Sequence, residues 1–403
     1  MIKKIIKKFT PDFLLDFYYW LWALVGAIMF GFPSRKLTVI GVTGTSGKST
    51  TVDFITRILE EAGNKVVSNS SIRFKIRSKE WPNDLKMGMP GRFFMQKFLW
   101  QATQKKCAVV ILEVTSEGVR QFRHAFIDFD TVGITNLTPE HIESHGGFEK
   151  YREAKLKLFR ALSRSRKPKR AVAINAGMQD AEMFASAARG ADIKYYGRDD
   201  ELKLNLKLEG EFNKQNALLA AAIASAHGVA PEIIKRALEN AEPPPGRLEY
   251  VVREPFAVVV DYAHTPDALT KVYETLRSGV RHPSRMICVL GAAGGGRDKW
   301  KRPELGKIAD KFCDEIILTD EDPYDEDPQA IINDVKSGVS KHVPEIILDR
   351  KEAIEAAIKK AAPGDTVIIT GKGAEPLMAI AHGKKIPWDD RQIARAAIDS
   401  LHL

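Results

Sequence analysis

Short runs of β-branched and other apolar residues alternate with helical stretches from Leu37 onward. Strands separated by helices at this spacing join a parallel sheet through right-handed crossovers. Each run is almost continuously apolar, as expected for a strand that is buried on both faces. The sequence therefore predicts an α/β protein. The predicted strands are residues 37–42, 65–68, 108–114, 131–135, 171–175, 257–262, 286–291, 315–319, 345–349 and 366–370.

Three consecutive prolines, Pro243 to Pro245, interrupt this alternation. Prolines do not fit a helix interior or a central strand, so they indicate a linker with a boundary near Glu242. The chain of 403 residues is also longer than one hydrophobic core usually supports. We predict an N-terminal helical segment at 1–36, a central α/β domain built on a parallel sheet at 37–242 and a second, Rossmann-like α/β domain at 243–403.

Cysteine and charge content exclude some classes of protein. The 3 cysteines include no CxxC pair, which excludes a disulfide scaffold or a zinc knuckle and favours a reducing compartment. Lysine and arginine exceed aspartate and glutamate by 61 to 52, a formal charge of +9. This charge suits an anionic partner, but it does not choose between nucleotide, nucleic acid and membrane.

The N-terminal segment is basic and then strongly apolar. Lys3, Lys4, Lys7 and Lys8 precede an aromatic-rich run at 13–32, and no signal-peptide cleavage site is evident. If the run spanned a bilayer, these lysines would place the rest of the chain on the outer side. We therefore favour an interfacial helix with its lysines on anionic lipid. The alternative is a hydrophobic helix that packs on its own protein.

The strand at 37–42 leads directly into TGTSGKST and then into a helix. A strand, a glycine loop and a helix in this order form a phosphate cradle, since backbone N–H groups and the helix N-terminus face the oxygens. Lys48 would reach the β- and γ-phosphates and Ser49 would hold Mg²⁺. The usual GxxxxGK[ST] spacing is not met, so a chance glycine turn is the alternative. The predicted ATP-binding residues here are Gly44, Thr45, Ser46, Gly47, Lys48, Ser49 and Thr50.

Further metal ligands are predicted at strand ends. Glu113 ends the strand at 108–114, at the carboxyl edge where parallel sheets bind ligands. A carboxylate there is a candidate ligand for Mg²⁺, which prefers hard oxygen donors. His141 and His145 follow the strand at 131–135 and are candidates for metal or substrate, although a lone histidine is more often structural.

Nine blocks between residues 43 and 375 resemble the Mur ligases in content and order. They look most like the UDP-N-acetylmuramoyl-tripeptide synthetase branch, which adds the third amino acid of the peptidoglycan stem. The blocks are TGTSGKST, LEVTSEGVRQFR, TNLTPEHIESHGGFEKYREAKLKLF, GEFNKQNALLAAA, PGRLEYV, VVDYAHTPDAL, GAAGGGRDKWKRPELGKIA, TDEDPYDEDPQAII and ITGKGAE.

The resemblance implies an amide ligase that depends on ATP and Mg²⁺. In such an enzyme a substrate carboxylate attacks the γ-phosphate, and the amino group of a free amino acid then displaces phosphate from the acyl phosphate. The implied acceptor is a muramoyl peptide or a relative, and no nucleic-acid partner is expected. Lys48 and Mg²⁺ would stabilise charge on the transferring phosphoryl group.

The resemblance also assigns individual residues. Glu113 and His141 correspond to magnesium ligands, and Lys155 corresponds to a carbamylated lysine that would orient a second metal. By its pattern alone, Lys155 is a solvated helix residue. The predicted catalytic residues are Lys48, Lys155 and His141. The remaining nucleotide contacts are predicted at Asn213, Asn216, Arg247 and Asp261, and the substrate contacts at Thr115, Ser116, Arg123, Arg302, Glu321, Asp322, Tyr324, Gly371 and Glu375.

The chain departs from the tripeptide synthetases in several places. Only 42 residues precede the glycine loop, so the resemblance implies a shortened form without the domain that binds the uridine diphosphate end. Diaminopimelate-adding members carry Asp-Asn-Pro-Arg where this chain has Glu321-Asp322-Pro323-Tyr324. A phenol in place of a guanidinium removes a bidentate partner for a second carboxylate, so meso-diaminopimelate is disfavoured. The acids Glu321, Asp322 and Asp325 would suit the distal ammonium of lysine or ornithine instead. The expected His of GKGHE is Ala374.

Two other functions stay open at this stage. One is a polyglutamate-forming ligase of the same superfamily, and the other is a membrane-bound ATP-binding module without catalysis. Retention of Lys48, Glu113, His141 and Lys155 argues against the second. We predict a cytoplasmic monomer, with peripheral contact to the inner face of the membrane through residues 1–36.

Overall fold

The computed structural model describes residues 10–197, 203–279 and 282–401. The chain divides into two compact units. The first unit runs to Leu137 and adds residues 149–206 and 214–241. The second unit holds residues 138–148, 207–213 and the chain from Glu242 onward.

An eight-stranded sheet forms the centre of the first unit, in the order β4-β3-β2-β5-β1-β6-β7-β8. The strands from β2 to β8 along this order pair in parallel, whereas β3 and β4 form an antiparallel hairpin at one edge. The strands are β1 (Thr38–Thr43), β2 (Val66–Asn69), β3 (Arg73–Ile76), β4 (Lys79–Pro82), β5 (Val109–Glu113), β6 (Thr131–Ile134), β7 (Ala171–Asn175) and β8 (Asp192–Tyr196).

Helices connect these strands, as the right-handed crossovers of a parallel sheet require. A core of aliphatic and aromatic residues covers the sheet, with Val110, Leu112, Phe98 and Phe159 fully or almost fully buried. The helices up to the linker are α1 (Asp12–Met29), α2 (Lys48–Glu61), α3 (Arg92–Gln104), α4 (Ser116–Arg120), α5 (Ile142–His145), α6 (Phe148–Ser163), α7 (Ala181–Ala187), α8 (Glu211–Ala226) and α9 (Pro231–Glu239).

The second unit contains a six-stranded sheet in the order β13-β12-β11-β14-β10-β9, parallel except for β9. Two buried clusters cover its faces, one lined by α10 to α12 and one by α13 and α14. The elements are β9 (Glu249–Val252), β10 (Ala257–Val260), α10 (Pro266–Ser278), β11 (Met286–Leu290), α11 (Lys301–Phe312), β12 (Glu315–Leu318), α12 (Pro328–Lys336), β13 (Glu345–Ile346), α13 (Arg350–Lys360), β14 (Thr366–Ile369), β15 (Leu377–Ala379), β16 (Lys385–Pro387) and α14 (Asp390–Ser400).

The predicted fold class is confirmed, since the strands at the predicted positions form parallel α/β sheets. Within the predicted strand at 345–349, only Glu345 and Ile346 form a strand. This strand, β13, is exposed and lies at the edge of the sheet, where it pairs with β12. The hairpin β3-β4 and the strands β8, β9, β15 and β16 were not predicted, because they are short or mixed in polarity. Cys288 and Cys313 form one disulfide, while Cys107 is a buried free thiol.

Candidate active site

The glycine loop lies where the sequence predicts it, between β1 and α2. Gly47 precedes the helix with φ of +78°, and a Cβ there would lie 2.2 Å from Oδ1 of Asn216. Asn136, after β6, accepts a hydrogen bond from the backbone N–H of Ser46 at 3.0 Å. Lys48 Nζ donates to the carbonyls of Gly44 and Thr45. The loop is therefore a preformed turn with its lysine folded over it.

Glu113 ends β5 beside this loop and is 3% exposed. Its Oε2 accepts hydrogen bonds from Ser49 Oγ at 2.6 Å and from the backbone N–H of Ser71 at 2.9 Å. The hydroxyls of Ser49 and Ser71 also lie 2.8 Å apart. One carboxylate and two hydroxyls thus converge next to the helix N-terminus. Ser71 was not predicted, since only the sheet topology brings it to this edge.

This oxygen cluster fits a magnesium ion better than a transition metal. No group of three or more His, Cys, Asp or Glu side chains is arranged to hold a metal within the described residues. Mg²⁺ does not need such a cage, because it commonly takes one or two protein oxygens and completes its shell with phosphate and water. Ser49 and Glu113 supply donors of that kind.

Lys155 lies on α6 and is 1% exposed. Its Nζ donates to the carbonyl of Gly44 at 2.7 Å and lies 4.6 Å from the centre of the Tyr151 ring. Burial, with a smaller contribution from Lys48, lowers the pKa of Lys155 well below its ordinary value. A lysine that periodicity alone places in solvent is therefore buried at the glycine loop, where its surroundings favour the neutral amine over the charged form.

Arg123, at the predicted acceptor position, is buried in the first unit. Its guanidinium donates to the carbonyl of Met89 and, at 2.9 Å, to Oε1 of Gln121, while its Nε has no partner among the described residues. Burial lowers the pKa of Arg123. Thr115 caps α4 by accepting from the N–H of Gly118, and the neighbouring Ser116 is buried. The site thus holds a buried guanidinium without an ion pair in the described part of the chain.

Asn216 belongs to the first unit and packs on Gly47, whereas Asn213 belongs to the second unit and donates to the carbonyl of Glu209. His141 lies in the stretch 138–148, which belongs to the second unit. Within that unit, Asp298 accepts from the N–H groups of Ile142 and Glu143 at 3.0 Å. The backbone that follows His141 is therefore fixed by a residue of the GGGRDKW motif.

Arg247 and Asp261 lie together at the start of the second unit. The Arg247 guanidinium stacks 4.3 Å from the centre of the Tyr262 ring. The two carboxylate oxygens of Asp261 accept from the N–H groups of Leu248 and Ala263, both at 2.7 Å. Burial raises the pKa of Asp261. Asp261 therefore holds the backbone just before β9, at Leu248, and just after β10, at Ala263.

The predicted amino-acid residues cluster at the carboxyl edge of the second sheet. Asp322 accepts from Lys372 Nζ at 2.9 Å and from the N–H of Ala379 at 2.7 Å. Lys372, which was not predicted, also donates to Glu375 at 3.0 Å. Burial opposes its charge, but Glu375 and Asp322 raise the pKa of Lys372. Asp322 and Glu375 are therefore already paired with a buried cation.

Glu321 has a different environment. Burial raises the pKa of Glu321 to about 7, and its Oε2 has no hydrogen-bond partner in the described part of the chain. A Cβ at Gly371, whose φ is +107°, would lie 2.0 Å from that oxygen. Gly371 therefore leaves the space that the Glu321 carboxyl occupies.

Two arginines, Arg302 and Arg297, also belong to this group at the carboxyl edge of the second sheet. Arg302 is fully buried and pairs with Glu326 and Asp334. Arg297 forms a side-chain hydrogen bond with Tyr324, and Tyr262, Tyr324 and Glu375 raise the pKa of Arg297 against the opposing effect of burial. A guanidinium thus lies next to the Tyr324 phenol.

Two family models match the chain. They are the Mur ligase middle domain over residues 42–201 and the Mur ligase glutamate ligase domain over residues 246–373. A UDP-N-acetylmuramoyl-L-alanyl-D-glutamate–2,6-diaminopimelate ligase from Syntrophomonas wolfei subsp. wolfei is 35% identical and covers 92% of this chain and 80% of its own length. A UDP-N-acetylmuramyl-tripeptide synthetase from Roseiflexus sp. is also 35% identical, with coverage of 94% and 82%.

Solved structures resemble the chain as well. A UDP-N-acetylmuramoyl-L-alanyl-D-glutamate–2,6-diaminopimelate ligase matches with a TM-score of 0.60 and 28% identity, over 91% of this chain and 79% of its own. A folylpolyglutamate synthase from Mycobacterium tuberculosis, complexed with ADP and AMPPCP, matches with a TM-score of 0.71 over 95% of each chain. At 16% identity the second shows the fold alone.

The fold and the relatives define an ATP-dependent ligase that forms C–N bonds. The chain belongs to the Mur ligase family, whose members add amino acids during the synthesis of peptidoglycan precursors.

Proposed function

We propose that the chain joins the amino group of a diamino acid to the carboxylate of a muramoyl peptide or a close relative, through an acyl phosphate. The observation that carries this proposal is the buried Lys155 amine, held on the carbonyl of Gly44 in the glycine loop. The oxygen cluster of Ser49 and Glu113 lies at the same loop. A nucleotide-binding module without catalysis has no need for this lysine.

The glycine loop would bind the phosphates of ATP. Backbone N–H groups at the start of α2 provide a positive end for the β- and γ-phosphates. Lys48 now donates to two loop carbonyls, and we infer that it exchanges these for phosphate oxygens when nucleotide binds. A fixed cation at this point stabilises the charge that develops during phosphoryl transfer.

Ser49 and Glu113 would hold Mg²⁺, which when bound neutralises phosphate charge. The Ser49 hydroxyl and the Glu113 carboxylate are already hydrogen-bonded, so they are ordered before a ligand arrives. The family resemblance adds His141 to the metal ligands, and this assignment stays a prediction.

Lys155 would act as a carbamate. Its lowered pKa favours the neutral amine, which is the form that attacks CO₂. An N–C bond forms, one C=O electron pair moves to oxygen, and the nitrogen releases one proton. The product is an anion, which would orient a second metal, whereas a protonated lysine would repel it. The neighbouring positive charge of Lys48 favours the anionic form.

Arg123 would bind a carboxylate of the acceptor. It is a buried guanidinium whose described partners are neutral oxygens and a thioether, so an anion would complete its pairing. Thr115 and Ser116, which precede it at the end of β5, would contact the same substrate.

Glu321 would face the distal ammonium of the incoming amino acid. Its unpartnered oxygen is an acceptor for such a cation, whereas Asp322 and Glu375 are already paired with Lys372. Tyr324 cannot form the bidentate pair that a second carboxylate requires. We therefore propose lysine or ornithine ahead of diaminopimelate. If the enzyme instead preferred diaminopimelate, Arg297 would be the cation that binds its second carboxylate.

We also propose the domain division 1–36, 37–242 and 243–403. Its support is that the two family models match residues 42–201 and 246–373, on either side of the three prolines.

The experiment measures ADP release over a matrix of carboxylate acceptors and amino acids, with the wild type, Lys155→Met and Lys157→Met. Lys157 is an exposed lysine on the same helix, so it controls for loss of charge. We expect Lys155→Met to lose at least a hundredfold in rate and Lys157→Met to lose little. A carbamate signal from ¹³C-bicarbonate should also disappear only in Lys155→Met. Near-normal turnover by Lys155→Met would refute the proposal.

A further inference from the structure

The helix α1 has an apolar face that nothing in the described part of the chain covers. Its exposed residues include Phe13, Phe17 and Leu21 in one row and Tyr18 and Trp22 in the next. At about 100° per residue these rows cover about half of the helix circumference. Asp12 and Asp16 are the only charged residues of α1, and both fall on the other half. An ordinary surface helix shows polar residues on its outer face.

The opposite face of α1 packs on its own unit. Ala23, Gly26 and Ala27 are buried, and a Cβ at Gly26 would lie 3.4 Å from atoms of Phe93 and Gln96 on α3. Phe30, just after the helix, lies 5.2 Å from the ring of Phe93. The helix is therefore attached to the first unit along one side, and its other side is available to a partner.

Basic residues flank α1 in the sequence, and one basic side chain contacts the helix. Lys36 is exposed just beyond the C-terminal end of α1, and the sequence before the helix contains four lysines. The Arg92 guanidinium stacks 4.2 Å from the ring of Tyr19 on the side of the helix. Basic residues around an aromatic and aliphatic face complement an anionic lipid surface, where the rings enter the headgroup region and the cations meet phosphate.

We propose that α1 lies in the plane of a membrane and docks the enzyme on anionic lipid. By length and composition alone α1 could also cross a bilayer, a test that core helices and leader sequences pass too. A spanning orientation would remove Ala23, Gly26 and Ala27 from their packing on α3. A second copy of the chain is a poorer partner, because basic residues flank α1 in the sequence on both sides and two copies would bring these like charges together.

Docking would bring the acceptor site to the lipid surface. Arg92 donates to the carbonyl of Gln121, and the side chain of Gln121 accepts from Arg123. The proposed acceptor arginine is therefore connected to α1 through two residues. The docking itself does not rest on the proposed ligase reaction, since its readout is membrane binding.

The test uses the full chain with vesicles of phosphatidylglycerol and phosphatidylcholine, or of phosphatidylcholine alone, in a flotation assay. We expect binding to the anionic vesicles and at least tenfold weaker binding to the neutral ones. Phe17→Glu with Leu21→Glu should also weaken binding at least tenfold. The matched control is Val343→Glu with Leu348→Glu, two exposed apolar residues of the second unit, which should bind as the wild type does.

Three results would overturn the proposal. The wild type could fail to bind anionic vesicles, or the Phe17 and Leu21 variant could bind them equally well. The bound wild type could also resist extraction by alkaline carbonate, which would show a spanning helix. If the glutamate variant does not fold, brominated lipid should still quench the fluorescence of the wild type more than that of Trp20→Phe with Trp22→Phe. Equal quenching would contradict docking through α1.

Discussion

Glu321 gives a quantitative test of the second unit. Its carboxyl has a pKa of about 7 in the folded chain against 4.5 for the ordinary group, because burial disfavours the charged form. Because the pKa is higher in the folded state, the native state binds more protons than the unfolded state between about pH 4.5 and pH 7. Stability is therefore lost as pH rises from about 4.5 to 7, and the loss then levels off.

The size of the effect follows from the two pKa values. Each unit of difference corresponds to about 1.4 kcal/mol. Compared with a low pH at which both states are protonated, titration of this carboxyl lowers the free energy of unfolding by about 1 kcal/mol at pH 5 and by about 3 kcal/mol at pH 8. Glu321→Gln keeps the shape and removes the titration. We expect the difference in the free energy of unfolding between this variant and the wild type to shift by about 2 kcal/mol in favour of the variant from pH 5 to pH 8.

The assay is urea unfolding of both proteins at pH 5 and pH 8, followed by fluorescence and circular dichroism. Glu304→Gln, a partly exposed carboxylate on α11, is the matched control and should show no such gain. If Glu321→Gln and the wild type differ equally at both pH values, the Glu321 carboxyl is not a buried group with a raised pKa. The assignment of its free oxygen to a substrate ammonium would then lose its support.

The remaining predictions concern catalysis, specificity and the core. Lys48→Ala should lower ADP release by at least a hundredfold without a large change in melting temperature, because the lysine faces a loop and leaves no core cavity; near-normal release would refute the phosphate assignment. Tyr324→Arg should raise kcat/KM for diaminopimelate relative to lysine in a side-by-side ligation assay, and an unchanged ratio would contradict the proposed role. Arg350→Met should cost about 3 to 5 kcal/mol in urea unfolding, since it leaves Asp390 buried and unpaired, whereas Arg395→Met on the surface should cost under about 1 kcal/mol. Equal losses for the two arginines would show that the buried pair is not a stabilising contact.

Local sequence pattern was enough to predict most of the strands, the helices between them and the glycine loop. These features depend on local pattern: apolar runs of strand length, turn glycines and the residues that start a helix. The family follows from motifs such as TGTSGKST and DYAHTPDAL, whose residues stand next to each other in the chain. The short strands β3, β4 and β15 were beyond this reasoning because their pattern is mixed and their pairing is decided by neighbours.

The contacts between side chains distant in sequence depend on the tertiary fold. Periodicity predicts that the Lys155 side chain lies in solvent, yet packing buries its amine at the glycine loop and lowers its pKa. Ser71 reaches Glu113 because β2 and β5 are neighbours in the sheet, a pairing that local sequence does not encode. Lys372 joins Asp322 across 50 residues of sequence, whereas Oε2 of the neighbouring Glu321 has no hydrogen-bond partner among the described residues. Burial and long-range pairing depend on the whole fold, and so do the charges that they produce.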